Sequence, residues 1–340
     1  MKFISLTTKF LHYLPSEISH FIALKSLKIL NLSGILPFIM GGIDLKNSNL
    51  KAVGKIENLE NRLGFAAGLD KNGEYIDCLA ALGVGFIEIG TVTPRAQPGN
   101  KKPRLFRDIN KKSILNRLGF NNKGVDRLVT NIKARKSHIP IGISIGKNFD
   151  TSNENAYEDY KICMEKVYEF SSYIAINISS PNTQDLRKLS AEEYLDSLLR
   201  ELKKVQLELS LNFGYRPIFL KISPDENLNN LENICKLILK NEIDGIICTN
   251  TTIEHNEKYG EGGLSGKPLR EKSTDTVTIV KKFLGEGVTI IASGGVMSVA
   301  DYNEKIACGA DLVQIYTGFI FEGPKLIQDI LVKDTHQRKT

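Results

Sequence analysis

Residues 173–182, which read YIAINISSPN, are the most informative part of the chain. The apolar run from Tyr173 to Ile178 is typical of a buried strand, and it breaks at once into a polar turn. Amides and hydroxyls at the exit of a buried strand suit a planar polar ligand, because each asparagine offers a donor beside an acceptor. Similar polar strand ends recur at residues 67–71, 116–120, 220–221 and 249–251. Together they predict a ligand site, and with it an enzyme.

Working outward from this strand, apolar runs alternate with segments of helical periodicity such as 191–207 and 228–239. The eight strand candidates are 63–67, 86–92, 141–146, 173–178, 218–223, 244–249, 288–293 and 312–317. Continuous apolar runs are typical of parallel strands buried on both faces. Eight such strands separated by helices predict an α/β fold, a (β/α)8 TIM barrel over residues 46–336. A doubly wound sheet is the alternative, and the regularity of the eight repeats favours the barrel.

Two smaller features frame the predicted barrel. Residues 46–61, with Val53-Gly54 at the centre, predict a hairpin that closes the barrel floor. Residues 1–40 form a helical extension: one apolar face runs from Phe3 to Leu14, and Pro15 then ends that helix. Ser16 is the expected N-cap of a second helix with apolar and lysine positions. This pair either packs on the barrel as ordinary helices or lies at a membrane surface, as basic amphipathic helices do.

Composition excludes several classes of protein. The net charge of +6 over 340 residues is spread thinly, without a basic block interleaved with aromatics, so we expect no nucleic-acid binding. The five cysteines are scattered without a Cys-x-x-Cys pair, which indicates reduced thiols and argues against a zinc or iron–sulfur site. The five histidines are dispersed too, so no metal site is expected. No segment reaches the roughly 18–20 apolar residues that span a bilayer.

The ends of the last two strand candidates carry glycines, in Ser293-Gly294-Gly295 and Tyr316-Thr317-Gly318. Glycine lets backbone N–H groups approach an anion, and barrels often bind phosphate in these two loops. The alternative is that the glycines only make tight turns. Residues 262–266, which read GGLSG, favour the phosphate. They lack the spacing of a dinucleotide fingerprint, so a nicotinamide cofactor is not indicated.

Two lysines call for an explanation. Lys221 interrupts an apolar run, so it is either ion-paired or held beside negative charge that develops on a ring, such as the edge of a reduced flavin. Lys71 follows Gly68-Leu69-Asp70 and is either a solvated loop lysine or a clamp for a substrate carboxylate.

Long motifs in the chain closely resemble the quinone-dependent (class 2) family of dihydroorotate dehydrogenases. They are residues 66–71 (AAGLDK), 88–95 (EIGTVTPR), 116–122 (NRLGFNN), 177–182 (NISSPN), 249–252 (TNTT) and 263–266 (GLSG). The resemblance covers nearly the whole chain. It implies an enzyme of pyrimidine biosynthesis that oxidises dihydroorotate to orotate with flavin mononucleotide (FMN) and passes the electrons to a quinone.

The resemblance also implies site residues. Ser180 resembles the general base, and Thr183 and Phe120 resemble the residues that line its proton path. Residues similar to the substrate clamp are Lys71, Asn116, Arg117, Leu118, Gly119, Phe120, Asn177, Asn182, Asn250 and Thr251. Residues similar to flavin contacts are Ala67, Gly68, Leu69, Asp70, Lys71, Thr91, Ser144, Asn177, Lys221, Thr249, Gly266, Gly295, Tyr316 and Thr317. Ser144 departs from the family, which usually has Asn there, so the shorter side chain is expected to reach the flavin only through water.

The general base and the N-terminal residues distinguish the quinone-dependent class from class 1. Class 1 relatives have Cys in place of Ser180 and use fumarate or, through a partner subunit, a nicotinamide. Ser180 and residues 1–40 favour ubiquinone or menaquinone, without an iron–sulfur subunit, and His20, Arg107 and Tyr316 resemble residues near the quinone. The resemblance implies a peripheral membrane protein on the cytoplasmic face of a bacterial inner membrane, with residues 1–40 as the tunnel mouth. The remaining alternatives are a class 1-like enzyme, a flavin-free lyase or isomerase, and a non-catalytic membrane scaffold.

Overall fold

The computed structural model of the chain describes residues 11–36, 40, 50, 52–183, 185–256 and 258–337. Eight parallel strands close into one barrel. In chain order, first to eighth, they are Leu63–Phe65, Phe86–Val92, Ile141–Ile145, Tyr173–Asn177, Ile218–Ile222, Gly245–Cys248, Thr289–Ser293 and Leu312–Ile315. Consecutive strands pair with each other, and the eighth pairs with the first. The predicted TIM barrel is confirmed, and each strand lies within its predicted run.

Helices cover the outside of the barrel. Those described are Ser16–Leu32, Ile76–Ala80, Val125–Lys133, Ala156–Val167, Glu192–Phe213, Leu228–Lys240, Arg270–Leu284, Val299–Ala307, Thr317–Glu322 and Pro324–Gln337. Short 3-10 turns lie at Tyr168–Phe170, Leu186–Ser190 and Lys267–Leu269. The helices predicted at 191–207 and 228–239 are both present, and the first runs six residues further, to Phe213.

Alternation along the strands creates two hydrophobic cores. Ile87 and Ile89 of the second strand pack outward against the helices, whereas Phe86 packs inward in a separate cluster with Tyr173 and Phe219. Successive side chains of a strand point to opposite faces, so Glu88 and Lys221 follow Phe86 and Phe219 on the inner side. The barrel therefore holds apolar side chains near its floor and polar ones closer to the mouth.

Glycines make room for the large rings inside the barrel. A Cβ on Gly142 would lie 2.0 Å from Cζ of Tyr173, and one on Gly245 would lie 2.1 Å from Cε1 of Phe219. Small residues opposite large ones let a barrel of this size fill its interior without a void.

The floor of the barrel is closed by a two-stranded antiparallel hairpin, Ala52–Val53 with Ile56–Glu57. Ile56 and Leu59 are buried in the same cluster as the inward-facing aromatic rings. This confirms the predicted hairpin for the described part of residues 46–61, while 46–49 and 51 lie outside the described residues.

A second, three-stranded antiparallel sheet was not predicted. Its strands are Leu105–Asp108, Ser113–Asn116 and Gly263–Gly266, with the middle one pairing on both sides. The third strand lies about 150 residues beyond the second, and Gly263–Gly266 lacks the β-branched residues that signal a strand. Its position becomes evident only when the barrel brings the two loops together.

Helix Ser16–Leu32 packs beside the barrel near Leu105–Asp108. Ser16 was expected to be the N-cap, and this prediction is wrong: Ser16 is the first helical residue, and Pro15, with an extended backbone, takes the capping position. The helix predicted over Phe3–Leu14 lies mostly outside the described residues. Within the described part of the chain, no helix is both long enough and apolar enough to cross a membrane.

Candidate active site

A cavity opens at the carboxyl ends of the barrel strands. Its empty space measures about 1030 Å³, including the part open to solvent. The residues lining it from strand ends and loops include Ala67, Gly68, Lys71, Thr91, Asn177, Ser180, Asn182, Lys221, Thr249, Asn250, Thr251, Ser293, Gly294, Gly295, Gln314, Tyr316 and Thr317. Asn116, Leu118, Gly119, Phe120, Ser265 and Gly266 come from the three-stranded sheet and its loops. The polar strand ends predicted to form one site therefore do meet.

One side of the cavity carries a set of hydrogen-bonded amides. The Asn182 Nδ2 donates to Asn116 Oδ1 at 2.8 Å, and Asn116 Nδ2 donates to the carbonyl of Gly263 at 3.0 Å. Across the site, Asn250 Nδ2 donates to Ser179 Oγ at 3.0 Å. These bonds fix the orientation of each amide plane, so the cavity presents donors and acceptors in a set order.

Asn177 is oriented by neighbours on two other strands. Its Nδ2 donates to Thr91 Oγ1 at 2.8 Å, and the Thr91 hydroxyl shares a further 2.8 Å hydrogen bond with Ser144. Ser144 is fully buried and does not line the cavity, since Thr91 lies between it and the open space. In this structure Ser144 therefore supports a cavity residue rather than facing the cavity itself.

Lys221 lies at the inner end of the cavity and is ion-paired. Its Nζ is 3.1 Å from Oε1 of Glu88, a carboxylate with no solvent exposure. Glu88 Oε2 accepts hydrogen bonds from Tyr173 at 2.9 Å and from Gln314 Nε2 at 2.8 Å. Gln314 lines the cavity, and its buried Oε1 has no partner among the described residues. The inner end of the cavity therefore carries the cation of Lys221 and the acceptor oxygen of Gln314, which has no partner among the described residues.

The opposite end of the cavity is rich in glycine. Gly294 and Gly295 follow the seventh strand, and both have backbone φ values, +122° and +76°, that favour glycine. Thr317 begins a short helix after the eighth strand, and its hydroxyl lies 2.8 Å from that of Ser265. Backbone N–H groups at such a turn and helix start are suited to an anion.

Ser180 lines the cavity in the loop after the fourth strand, where its Oγ accepts a hydrogen bond from the backbone N–H of Asn182 at 3.3 Å. Phe120 lines the same cavity. Thr183 is buried three residues further on, and its hydroxyl has no partner among the described residues. A buried hydroxyl without a protein partner commonly bonds to an ordered water.

A second cavity lies between helix Ser16–Leu32 and the barrel. It shares Lys71, Leu105, Leu118 and Tyr316 with the first cavity, so the two spaces adjoin. His20 lines it, and burial, reinforced by the positive charge of Lys71, lowers the pKa of His20 to about 4. Burial likewise lowers the pKa of Lys71 to about 8.

Several predicted site residues lie away from the first cavity. Leu69 and Asp70 line the second cavity instead, and Asp70 accepts backbone hydrogen bonds from Glu74 and Tyr75. Arg117 donates to the carbonyls of Tyr259 and Glu261. Arg107 lines neither cavity: it donates to the carbonyls of Leu11 and His12 and to the Ser19 hydroxyl, which ties the N-terminal helix to the barrel.

Sequence reasoning missed three contributors to the site. Glu88 was visible as an acidic residue within the apolar run of the second strand, two positions after Phe86. Its spacing matches that of Phe219 and Lys221, so strand alternation alone could have paired the two charges. Gln314 has the same signal in the eighth strand. Ser265 lies in the GGLSG run that favoured a phosphate, but its contact with Thr317 could not be predicted, because it depends on the three-stranded sheet.

The barrel and the cavity at its carboxyl end define an enzyme built on a TIM barrel. A sequence profile of the dihydroorotate dehydrogenase family matches residues 50–335. A "Dihydroorotate dehydrogenase (quinone)" of Vibrio parahaemolyticus is 49% identical over 94% of this chain and 96% of its own length. Another, of Vibrio vulnificus, is 53% identical over 80% of this chain and 83% of its own.

Solved structures agree with these relatives. A crystal structure of DHODH in complex with ferulenol from Eimeria tenella has a TM-score of 0.77 and 31% identity, and it covers 89% of this chain and 91% of that one. The ligand-free form from the same organism also has a TM-score of 0.77. The chain belongs to the dihydroorotate dehydrogenase family, in its quinone-dependent class.

Proposed function

We infer that this protein oxidises dihydroorotate to orotate and passes the electrons to a quinone, as a step of pyrimidine biosynthesis. Membership of the quinone-dependent class supports the overall reaction. The observation that carries the proposal is that Ser180, in the loop after the fourth strand, and Lys221, on the fifth, line one cavity, and that this cavity adjoins a second one beneath the N-terminal helix.

The residues present fit FMN as the cofactor. Gly294, Gly295 and Thr317 offer backbone donors for a phosphate, and Gln314 Oε1 is a buried acceptor without a partner among the described residues. Lys221, Thr91 and Asn177 would face the polar edge of the ring system. When bound, FMN supplies the hydride acceptor. Lys221 would stabilise negative charge on the ring because it is buried and held in place by Glu88.

The substrate is proposed to lie among the amides. A dihydroorotate molecule carries a carboxylate and two ring amides, and these match the ammonium of Lys71 and the oriented groups of Asn116, Asn182 and Asn250. Lys71 also donates to the carbonyl of Gly68 at 2.9 Å, which holds its ammonium at the cavity wall.

Ser180 is proposed to remove the proton from C5 of the substrate. A serine hydroxyl is a weak base, so the proton must move on to a neighbouring acceptor. Thr183, with its unpaired buried hydroxyl, and Phe120, which lines the cavity, would hold and screen the water that takes it.

The second cavity is proposed to receive the quinone, ubiquinone or menaquinone, with His20 and Tyr316 in its wall.

Helix Ser16–Leu32 leaves Phe21 58% exposed and Ile29 65% exposed, with Lys25 between them. Large exposed apolar side chains on one helix indicate a contact surface, and lysines among them suit anionic lipid. We therefore propose peripheral association through residues 1–40 with the cytoplasmic face of a bacterial inner membrane.

One experiment tests the whole proposal. The purified protein is mixed anaerobically with dihydroorotate while flavin absorbance is followed, and a ubiquinone analogue is then added. We expect bleaching followed by recovery, with fumarate and NAD unable to restore the colour. A colourless protein would indicate a flavin-free enzyme or a scaffold. Recovery of the colour with fumarate but not with quinone would indicate a class 1-like enzyme.

A further inference from the structure

Lys305, in helix Val299–Ala307, has no solvent exposure and lies outside both cavities. Its ammonium donates to Ser273 Oγ at 2.5 Å, to Thr274 Oγ1 at 2.6 Å and to the carbonyl of Arg270 at 3.1 Å. All three acceptors are uncharged, and together they use every N–H of the ammonium group. Burying a cation among neutral groups is costly unless an anion compensates for it.

The nearby carboxylates are engaged elsewhere. Asp301 and Glu304, on the same helix as Lys305, lie 3.3 Å and 3.5 Å from the guanidinium of Arg270. Burial lowers the pKa of Lys305 to about 8, and these more distant carboxylates offset the shift only in part. Neither of these carboxylates forms a direct ion pair with Lys305, so its ammonium has no anionic partner in contact among the described residues.

Ser273 links Lys305 to the loop after the seventh strand. Its hydroxyl oxygen accepts from Lys305 and lies 2.9 Å from the carbonyl oxygen of Gly294. The hydroxyl proton has one other acceptor, the carbonyl of Arg270, but that oxygen already receives bonds from Lys305 and Thr274. The hydroxyl of Ser273 is therefore best placed to donate its hydrogen bond to the carbonyl oxygen of Gly294.

This bond sets the direction of the next peptide group. In a trans peptide the C=O of one residue and the N–H of the following residue point in opposite directions. With the Gly294 carbonyl held by Ser273, the N–H of Gly295 points to the other side, and Gly295 lines the cavity. Close packing confirms that the loop is seated, since a Cβ on Gly295 would lie 2.2 Å from Cα of Arg270.

We propose that Lys305, acting through Ser273, is a positioning residue for the phosphate of FMN: it orients the Gly294–Gly295 peptide and supplies the buried positive charge behind the phosphate loop. The proposal rests on FMN being the cofactor. It explains why a fully buried lysine has only neutral partners, since the compensating anion is the dianionic phosphate of the cofactor.

The test compares FMN with riboflavin, which lacks the phosphate. Holoenzyme is equilibrated with excess riboflavin, and the bound flavins are extracted and quantified, which gives the preference of the site for FMN. We expect Lys305→Met to lower this preference by about tenfold, because the variant loses the buried charge behind the phosphate loop together with the orientation of its peptide, an effect comparable to one charge-assisted hydrogen bond. Ser273→Ala, which keeps the charge and breaks the link, should lower it by roughly threefold.

Lys147→Met is the matched control. Lys147 is also a buried lysine, but it donates to the carbonyl of Thr151 at 2.7 Å, away from the phosphate loop. The preference of the Lys147→Met variant for FMN over riboflavin should equal that of the unmodified protein.

If the role of Lys305 is purely structural, Lys305→Met will weaken the binding of FMN and of riboflavin equally and leave their ratio unchanged. That result would overturn the proposal. If Lys305→Met does not fold, the FMN preference of Ser273→Ala tests the proposal in the same way, and an unchanged preference overturns it. An unmodified protein that binds no flavin, or does not prefer FMN, would instead contradict the proposed function.

Discussion

The ammonium of Lys221 lies 3.1 Å from the carboxylate of Glu88, inside a barrel where both groups are buried. The two residues come from the fifth and second strands, which are three strands apart in the barrel. The pairing confirms that Lys221 is ion-paired, which is one of the two interpretations that the sequence left open, and the lysine also lines the cavity.

Lys221→Met should lower the free energy of unfolding by about 3–5 kcal/mol, because it leaves the buried carboxylate of Glu88 without its cation. Adding Glu88→Gln should recover most of that loss, since Gln removes the charge and still accepts from Tyr173. Urea unfolding of both single variants and the double variant at saturating FMN measures the coupling. Strictly additive effects would show that the pair is not energetically linked.

Ser180→Ala should slow flavin reduction by dihydroorotate by about 10²–10⁴, the range for a general base, while FMN stays bound. Stopped-flow absorbance gives the rate, and the flavin-to-protein ratio checks the cofactor. Ser210→Ala, on the exposed side of helix Glu192–Phe213, is the control and should behave like the unmodified protein. A near-normal rate for Ser180→Ala would remove Ser180 from this role.

Arg187 joins three loops at the cavity mouth with one guanidinium. It donates to the carbonyl of Ser179 at 3.1 Å, to that of Thr251 at 2.9 Å and to Asp225 at 2.8 Å. A lysine cannot reproduce this planar set of donors. Arg187→Lys should therefore lower kcat/KM for dihydroorotate by about tenfold with FMN retained, the loss of one to two hydrogen bonds to backbone.

The control for Arg187 is Arg200→Lys, since Arg200 is half exposed and its ion pairs among the described residues are with neighbours on its own helix. The dependence of flavin reduction on dihydroorotate concentration separates binding from the chemical step. An unchanged kcat/KM for Arg187→Lys would mean that the loops hold their positions without it.

Asp244 ties the floor hairpin to the barrel. Burial alone would raise the pKa of Asp244, but hydrogen bonds from Lys55 and Tyr215, both at 2.6 Å, lead a set that lowers it. A carboxylate whose pKa is lower in the folded state stabilises the fold above its unfolded pKa of about 3.9, and this stabilisation is lost as pH falls through the folded value. Asp244→Asn should cost about 1–3 kcal/mol at pH 7.

The difference between Asp244→Asn and the unmodified protein should shrink as the pH falls below about 4. Urea midpoints between pH 7 and pH 3 give the comparison. Asp150→Asn, which breaks an exposed pair with Arg95, should change stability little at any pH. A difference for Asp244→Asn that stays constant across this range would contradict the assigned direction of the pKa shift.

Membrane association is expected to depend on the exposed apolar side chains of helix Ser16–Leu32. Replacing Phe21 and Ile29 together by Glu should reduce co-flotation with anionic vesicles by at least about tenfold, because two charged groups then oppose insertion. Leu211→Glu is the matched control, since Leu211 is 86% exposed on a different helix. Equal flotation of the two variants would place the membrane contact elsewhere.

The barrel and the strand ends that form the site could be predicted from the order of residues alone. This was possible because strand alternation and helical periodicity are local, and because a parallel barrel brings all carboxyl ends of its strands to one face. The positions of Asn177, Lys221 and Thr249 in the site followed from their place in the chain alone. So did the floor hairpin, and Glu88 would have followed had its alternation with Phe86 been used.

Which side chains contact each other became known from the folded arrangement of the chain. The bond between Asn116 and Asn182 spans 66 residues, that between Arg187 and Thr251 spans 64, and the strand Gly263–Gly266 pairs with one near residue 115. Ser144, which was expected to reach the flavin only through water, hydrogen-bonds to Thr91 and does not line the cavity, and Arg117 donates to backbone carbonyls away from the cavity. These contacts depend on how loops distant in sequence converge when the barrel closes, and no local pattern encodes that convergence.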